Sequence, residues 1–203
     1  MNGSINILHL SDLHIINYGE SFSPLLKKLL DDIDENIKNY ENKTVIIVVT
    51  GDIVNRGDYS NSSAVIKFFE GLKEVIGDKF KGIYIVPGNH DKKINIYDEN
   101  IINLYLDNKE IALKEEEWSY LECSFLKFNK MKNDIYKVFL GDEIQKNEKS
   151  FGIGIEKFNN INICFLLLNT TYGAKGNSDK RNLFLGDYQI KYLESEYIKK
   201  DMI

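Results

Sequence analysis

Proline, cysteine and histidine are all scarce in this 203-residue chain: two prolines, two cysteines and three histidines. Two cysteines so far apart, Cys123 and Cys164, build neither a disulfide framework nor a thiolate metal site. Cys164 lies in the apolar run INICFLLL, where a buried, reduced thiol is expected, and that usage suits the reducing cytoplasm. No polybasic stretch is present and the net charge is −5, so there is no general electrostatic attraction to nucleic acid or to an anionic membrane. The start, MNGSINILHL, lacks the charged residues and small-residue cleavage site of a secretory signal. No apolar run approaches the length needed to cross a bilayer, so no membrane partner is expected.

Hydrophobic residues make up 43% of the chain and charged residues 28%, the balance of an ordinary globular protein with room for one sizeable core. We read residues 1–203 as a single domain. INILHL supplies a first strand expected to be buried on both faces, followed by Ser23 and Pro24 as cap and first residue of a helix carrying Leu25, Leu26, Leu29, Leu30, Ile33 and Ile37. The β-branched run from Thr44 to Thr50 repeats the strand. Ser62 or Ser63 then caps a second helix with Val65, Phe68, Phe69, Leu72, Val75 and Ile76, ended by Gly77. IYIVPGNHD, residues 83–91, adds a third strand. Strand, helix, strand, helix, strand is the pattern of an α/β fold with a parallel sheet. From about 97 to 149 the spacing of Trp118, Leu121, Phe125 and Phe128 predicts a helical excursion. A buried strand over 161–168, a polar loop TTYGAKGNSDKRN and a last helix capped by Asp187, with Ile190, Leu193 and Ile198, follow.

In open α/β sheets, ligands bind where the loops leave the carboxyl ends of the strands. Those loops carry Asp12 and His14; Gly51 and Asp52 with Asn55, Arg56 and Gly57; and Gly88, Asn89, His90 and Asp91. Carboxylate, amide and imidazole donors without a thiolate suit Mn, Fe, Co, Ni or Zn. A carboxylate can bridge two cations, and a two-metal centre is suited to phosphoester hydrolysis, with an imidazolium protonating the departing alkoxide. His9, inside the first strand, reads instead as a packed, hydrogen-bonded histidine.

The blocks D-x-H, G-D followed by N-R-G, and G-N-H-D, each after a strand and in this order, resemble the first three blocks of the calcineurin-like metallophosphoesterase family. The later NICFLLLN strand and the GDYQIKYL helix resemble its bacterial, cyclic-nucleotide-phosphodiesterase-like branch. The resemblance implies an α/β/β/α sandwich whose C-terminal part is missing from this chain. It also implies that Asp12 and His14 bind a first metal, that Asp52 bridges two divalent ions, and that Asn89 binds the second. His90 would face the substrate as proton donor, with Asp91 orienting it. Asn55 stands where many relatives have Asp, and Arg56 is placed to hold a substrate phosphate. The implied substrate is a phosphoester, with a nucleotide or a nucleic-acid end fitting the resemblance better than a phosphoprotein.

The family's ligand set also includes histidines later in the domain, and this chain has none after His90. We therefore expect a larger parent chain with further domains, and an apolar sheet face left partly uncovered here. The alternative is a scaffold that keeps the fold without the chemistry. For residues 1–203 alone the expected result is weakened metal binding and little or no hydrolysis; efficient Mn-dependent turnover of a generic phosphodiester by the purified chain would overturn that expectation.

Overall fold

A computed structural model describes residues 4–15, 23–39, 44–60, 62–93, 100–103, 114–142, 148–174 and 183–199. Three strands, β1 (Ile5–Leu10), β2 (Thr44–Thr50) and β3 (Phe80–Val86), form a parallel sheet in the order β1-β2-β3. Helix α1 (Pro24–Lys38) opens at Pro24 after Ser23, whose carbonyl accepts from Lys27 N at 3.0 Å. Helix α2 (Ser62–Ile76) ends before Gly77, which takes φ +54°, a left-handed conformation that costs glycine little.

The sheet's period-2 alternation divides the strands between two faces. Leu10, Val45, Ile47, Val49, Ile83 and Ile85 belong to the main core, together with Leu26, Ile33 and Ile37 of α1 and Phe68, Phe69 and Leu72 of α2. The first strand departs from its expected double burial. Among the described residues it pairs with β2 alone, and Ile7, on the face away from this core, is 61% exposed. Leu25 is likewise exposed, one position off the α1 stripe that Leu26, Ile33 and Ile37 bury.

In the stretch expected to be helical, α3 (Glu115–Cys123) and α4 (Leu126–Leu140) are described, and Trp118, Leu121, Phe125 and Phe128 are all buried. Phe139 of α4 packs on Phe69 and Phe80, which seats α4 beside α2 and β3. Tyr97, the side chain of Ile198 and most of the polar loop, residues 175–182, lie outside the described residues.

Sequence reasoning missed one strand. β4 (Gly152–Phe158) forms an antiparallel hairpin with β5 (Ile161–Leu167) around Asn159, which takes φ +54°. Two glycines in GIGIEKF hid the alternation of Ile153 and Ile155, although asparagine in a two-residue connection is a hairpin signal. β5 is not the fully buried strand expected: its alternate residues Asn162, Cys164 and Leu166 are exposed, and so are both free thiols, Cys123 and Cys164. A strand of a two-stranded ribbon buries only the side that faces the neighbouring sheet.

That side is closely fitted. Phe165 stacks on Tyr84 with ring centroids 4.2 Å apart, and the Tyr84 hydroxyl donates to Glu156 Oε1 at 2.8 Å. A Cβ on Gly154 would sit 1.9 Å from the Tyr84 ring. Helix α5 (Asp187–Lys199) begins at Asp187, and its Tyr188 and Tyr192 meet Phe151 edge-on just before β4. Gly154→Val is expected to destabilise the chain by about 1–3 kcal/mol or more through overpacking, read as a lowered thermal midpoint; an unchanged midpoint would show that the hairpin does not sit on Tyr84.

Candidate metal centre

Parallel strands deliver their C-terminal loops to one end of the sheet, and here the three loops are stitched together. Beyond β1 the chain continues alongside the loop after β2: Asp12 N donates to Gly51 O (3.2 Å), His14 N to Asp52 O (2.8 Å) and Ile15 N to Ile53 O (2.8 Å). The loop after β3 then closes against the second. Gly57 N donates to His90 O at 2.7 Å, and His90 N donates to Asp52 Oδ1 at 2.9 Å.

Two glycines permit that closure. A Cβ on Gly51 would lie 2.1 Å from Gly88 N, and one on Gly88 would lie 2.1 Å from Asp52 Oδ1. Gly51 also holds φ +97°, so a side chain there meets both a collision and an unfavourable backbone region.

The side chains converge at the same place. Ligand atoms of Asp12, His14 and Asp52 lie within 4.8 Å of one another. His14 Nε2 stands 4.0 Å from both Asp12 Oδ1 and Asp52 Oδ2, too far for hydrogen bonds. His14 Nδ1 is buried with no hydrogen-bond partner among the described residues. The His90 ring meets the His14 ring edge-on, centroids 4.9 Å apart. Oxygen and imidazole donors in this grouping fit a divalent transition metal.

The backbone carries strain at the same positions. Asp12 (φ 55°), His14 (φ 41°), Asp52 (φ 52°) and Arg56 (φ 52°) all occupy the left-handed region, and Asn159 in the hairpin turn is the other non-glycine residue to do so among those described. Such conformations cost on the order of 1 kcal/mol each and persist where surrounding structure holds them, commonly at functional sites. Three of these four residues are the clustered donors.

Asn89, His90 and Asp91 form a short 3-10 turn. Asp91 is fully buried; its Oδ1 accepts from Val54 N (3.0 Å) and its Oδ2 from Gly88 N (2.9 Å). Both oxygens are thus given to backbone amides, one in the loop after β2 and one at the start of its own turn. The half-buried Tyr59 donates its hydroxyl to the Asp91 carbonyl, and desolvation raises its pKa well above the usual phenol range. Asn89 opens the turn, half-buried; Asn55 accepts from Asp58 N at 3.0 Å through its carbonyl; Arg56 is exposed beside them. His9 is exposed and shares a hydrogen bond with Thr50 Oγ1 at 2.7 Å.

Two residues escaped sequence reasoning: Tyr59 and Lys92 both stand outside the recognised blocks, and Lys92 is 1% exposed.

Burial raises the Asp91 carboxyl to about 7 from an ordinary 3.8, against the pull of its amide bonds. A carboxyl whose folded-state pKa is raised binds protons more tightly in the folded chain, so its stabilising effect is complete below pH 3.8 and lost as pH rises through about 7. In metal-free buffer, stability is expected to fall across that window with a slope of at most about 1.4 kcal/mol per pH unit. Asp91→Asn should flatten the slope and cost more at pH 5 than at pH 8; denaturant titrations at both values check this, and an equal cost would refute it.

Residues 5–145 match the calcineurin-like phosphoesterase family. Over 173 residues the chain is 25% identical to "Uncharacterized metallophosphoesterase-like protein YydB" of Bacillus subtilis (strain 168), covering 85% of this chain and 35% of that protein. The chain thus spans roughly a third of the curated relative's length. No solved structure matches.

Proposed function

This chain belongs to the calcineurin-like phosphoesterase family, and from that membership we propose that it contributes the first half of a two-metal phosphodiester hydrolase site. The family implies metal-dependent phosphoester hydrolysis. The observation that carries the finer reading is the convergence of Asp12, His14 and Asp52 with the His90 ring against His14, on backbone strained at the donors themselves.

In this reading Asp12 and His14 would hold one divalent ion, Asp52 would serve both, and Asn89 would hold the second; Mn, Fe, Zn, Co and Ni all suit such donors. Bound divalent cations supply charge stabilisation at the phosphoryl oxygens and acidify water. Asp52 is fixed for its task by the amide of His90 on Oδ1, which leaves Oδ2 turned toward His14. His90 gives its proton to the alkoxide as the phosphorus–oxygen bond breaks, an imidazole role suited to neutral pH. Arg56, exposed beside the turn, supplies positive charge to a substrate phosphate, and Asn55 lines the approach.

The chain has no histidine beyond His90, so we propose that further imidazole ligands and domains come from a longer parent chain, consistent with the much longer relative. Two free cysteines fit a reducing, cytoplasmic setting. Among the described residues no helix is long and apolar enough to cross a membrane. The proposed substrate class, a nucleotide or nucleic-acid-end phosphodiester, rests on the GNHD block and the short loops around it, and the proposed placement in the bacterial branch rests on the NICFLLLN strand and the GDYQIKYL helix.

Titration with Mn²⁺, followed by the loss of the free-ion magnetic resonance signal, tests the centre directly. The wild-type chain is expected to bind weakly, its ligand set lacking the later histidines, and Asp52→Asn to lose most of that binding, because this carboxylate would serve both ions. His90→Ala is expected to keep Mn²⁺ affinity near wild type. In a chain long enough to supply the remaining ligands, the same change should cut diester hydrolysis by about 10²–10⁴-fold. Absence of Mn²⁺ binding, or binding indifferent to Asp52→Asn, would leave a fold kept without its chemistry.

A further inference from the structure

We propose that Lys92 is a positioning residue that fastens the Asn89–His90 side of the metal centre to the buried turn after β5; the role rests on the metallophosphoesterase reading of that centre. Lys92 directly follows the 3-10 turn, and its Nζ donates to the carbonyl of Tyr172 at 2.7 Å and to that of Ala174 at 3.1 Å. A lysine 1% exposed can hold its charge only where hydrogen-bond acceptors replace water. A long stem carrying several N–H donors is the side chain that bridges to two carbonyls at once.

The receiving turn is itself rigidly framed. Thr171, Tyr172 and Gly173 form a buried 3-10 turn. Asn169 Oδ1 accepts from Thr171 N and Thr171 Oγ1, both at 2.8 Å. Asn169 also exchanges two hydrogen bonds with Gln189 of α5: its N donates to Oε1 at 2.8 Å and its carbonyl accepts from Nε2 at 2.7 Å. The Tyr172 hydroxyl donates to Glu122 of α3 and meets Ser150 Oγ at 3.1 Å. Lys93 N adds a bond to Ser124 O at 3.0 Å.

Residues 88–93 are therefore held from two sides. Asp91 and the His90 carbonyl tie them to the loop after β2, at Val54 and Gly57. Lys92 and Lys93 tie them to the frame built by α3, α5 and the turn after β5. Much of that frame lies beyond residue 145, where the family match stops. It follows that a part of the chain carrying no candidate ligand sets where Asn89 and His90 stand relative to Asp52.

The test is Lys92→Met in the whole chain, which keeps the stem and removes the donors. With only three histidines in the chain, the imidazole ring resonances can be followed individually. In metal-free protein, the His90 ring resonance is expected to shift, with His14 following through its ring contact and His9 unmoved. Mn²⁺ affinity is expected to fall about tenfold. Ile76→Val, a core change in α2, serves as the control that lowers the thermal midpoint without either effect. If Lys92→Met does not fold, Lys92→Gln, whose amide falls short of the turn, is read in the same way. An unmoved His90 resonance with Mn²⁺ affinity within twofold of wild type would overturn the proposal. A wild-type chain that binds no Mn²⁺ would overturn the metal reading alone, and the metal-free His90 shift would still decide the role of Lys92.

Discussion

The close approach of the loops after β2 and β3 is the constraint on which the rest of the centre depends. Gly51 and Gly88 lie so near each other's loops that a single Cβ would fall 2.1 Å from Gly88 N or from Asp52 Oδ1. Only with both side chains absent can the His90 amide reach Asp52 and Asp91 cap Val54 and Gly88. The hydrogen bonds then hold the loops together, and the glycines let them meet. Left-handed backbone at Asp12, His14 and Asp52 is the conformational cost of aiming three donors inward, and it is offset by the bonds that bind each loop to its neighbour.

Behind the loops, burial and polarity serve the same end. The Trp118 ring meets Tyr172 edge-on and stacks on Tyr188 at 5.8 Å. Within that aromatic layer sits a hydrogen-bonded network of Glu122, Ser150, Asn169, Tyr172 and Gln189. A satisfied buried network fixes geometry more sharply than apolar packing, since each group left without its partner costs on the order of 1–3 kcal/mol. Lys92 carries that fixity forward to the candidate ligands.

Much was legible in the sequence because local rules suffice for it. Ser23-Pro24 marks a helix start, Gly77 marks an end, and the β-branched run at 44–50 marks a strand, all through φ preferences and side-chain shape. The candidate residues Asp12, His14, Asp52, Asn89 and His90 were visible because each follows a strand closely, so strand order alone places them at one end of a parallel sheet. Where reasoning went astray, the missing information was what lies across space. Cys164 and Leu166 sit in an apolar run yet face outward, because among the described residues β5 pairs only with β4 and presents one side to Tyr84. Ile7 is exposed for a similar reason at the edge of its sheet.

By itself, then, the sequence determined the order of the first three strands and the two helices between them, the end of the sheet at which chemistry gathers and the kinds of donor available there, since these follow from periodicity, turn residues and side-chain type. Tertiary structure alone decided that Asp91 serves backbone amides and that Lys92 is a buried tie to residues eighty positions away. A side chain's partners depend on which remote segments pack beside it. A Lys-Lys pair that composition would leave in water is drawn inside when two carbonyls of a framed turn stand ready to replace that water.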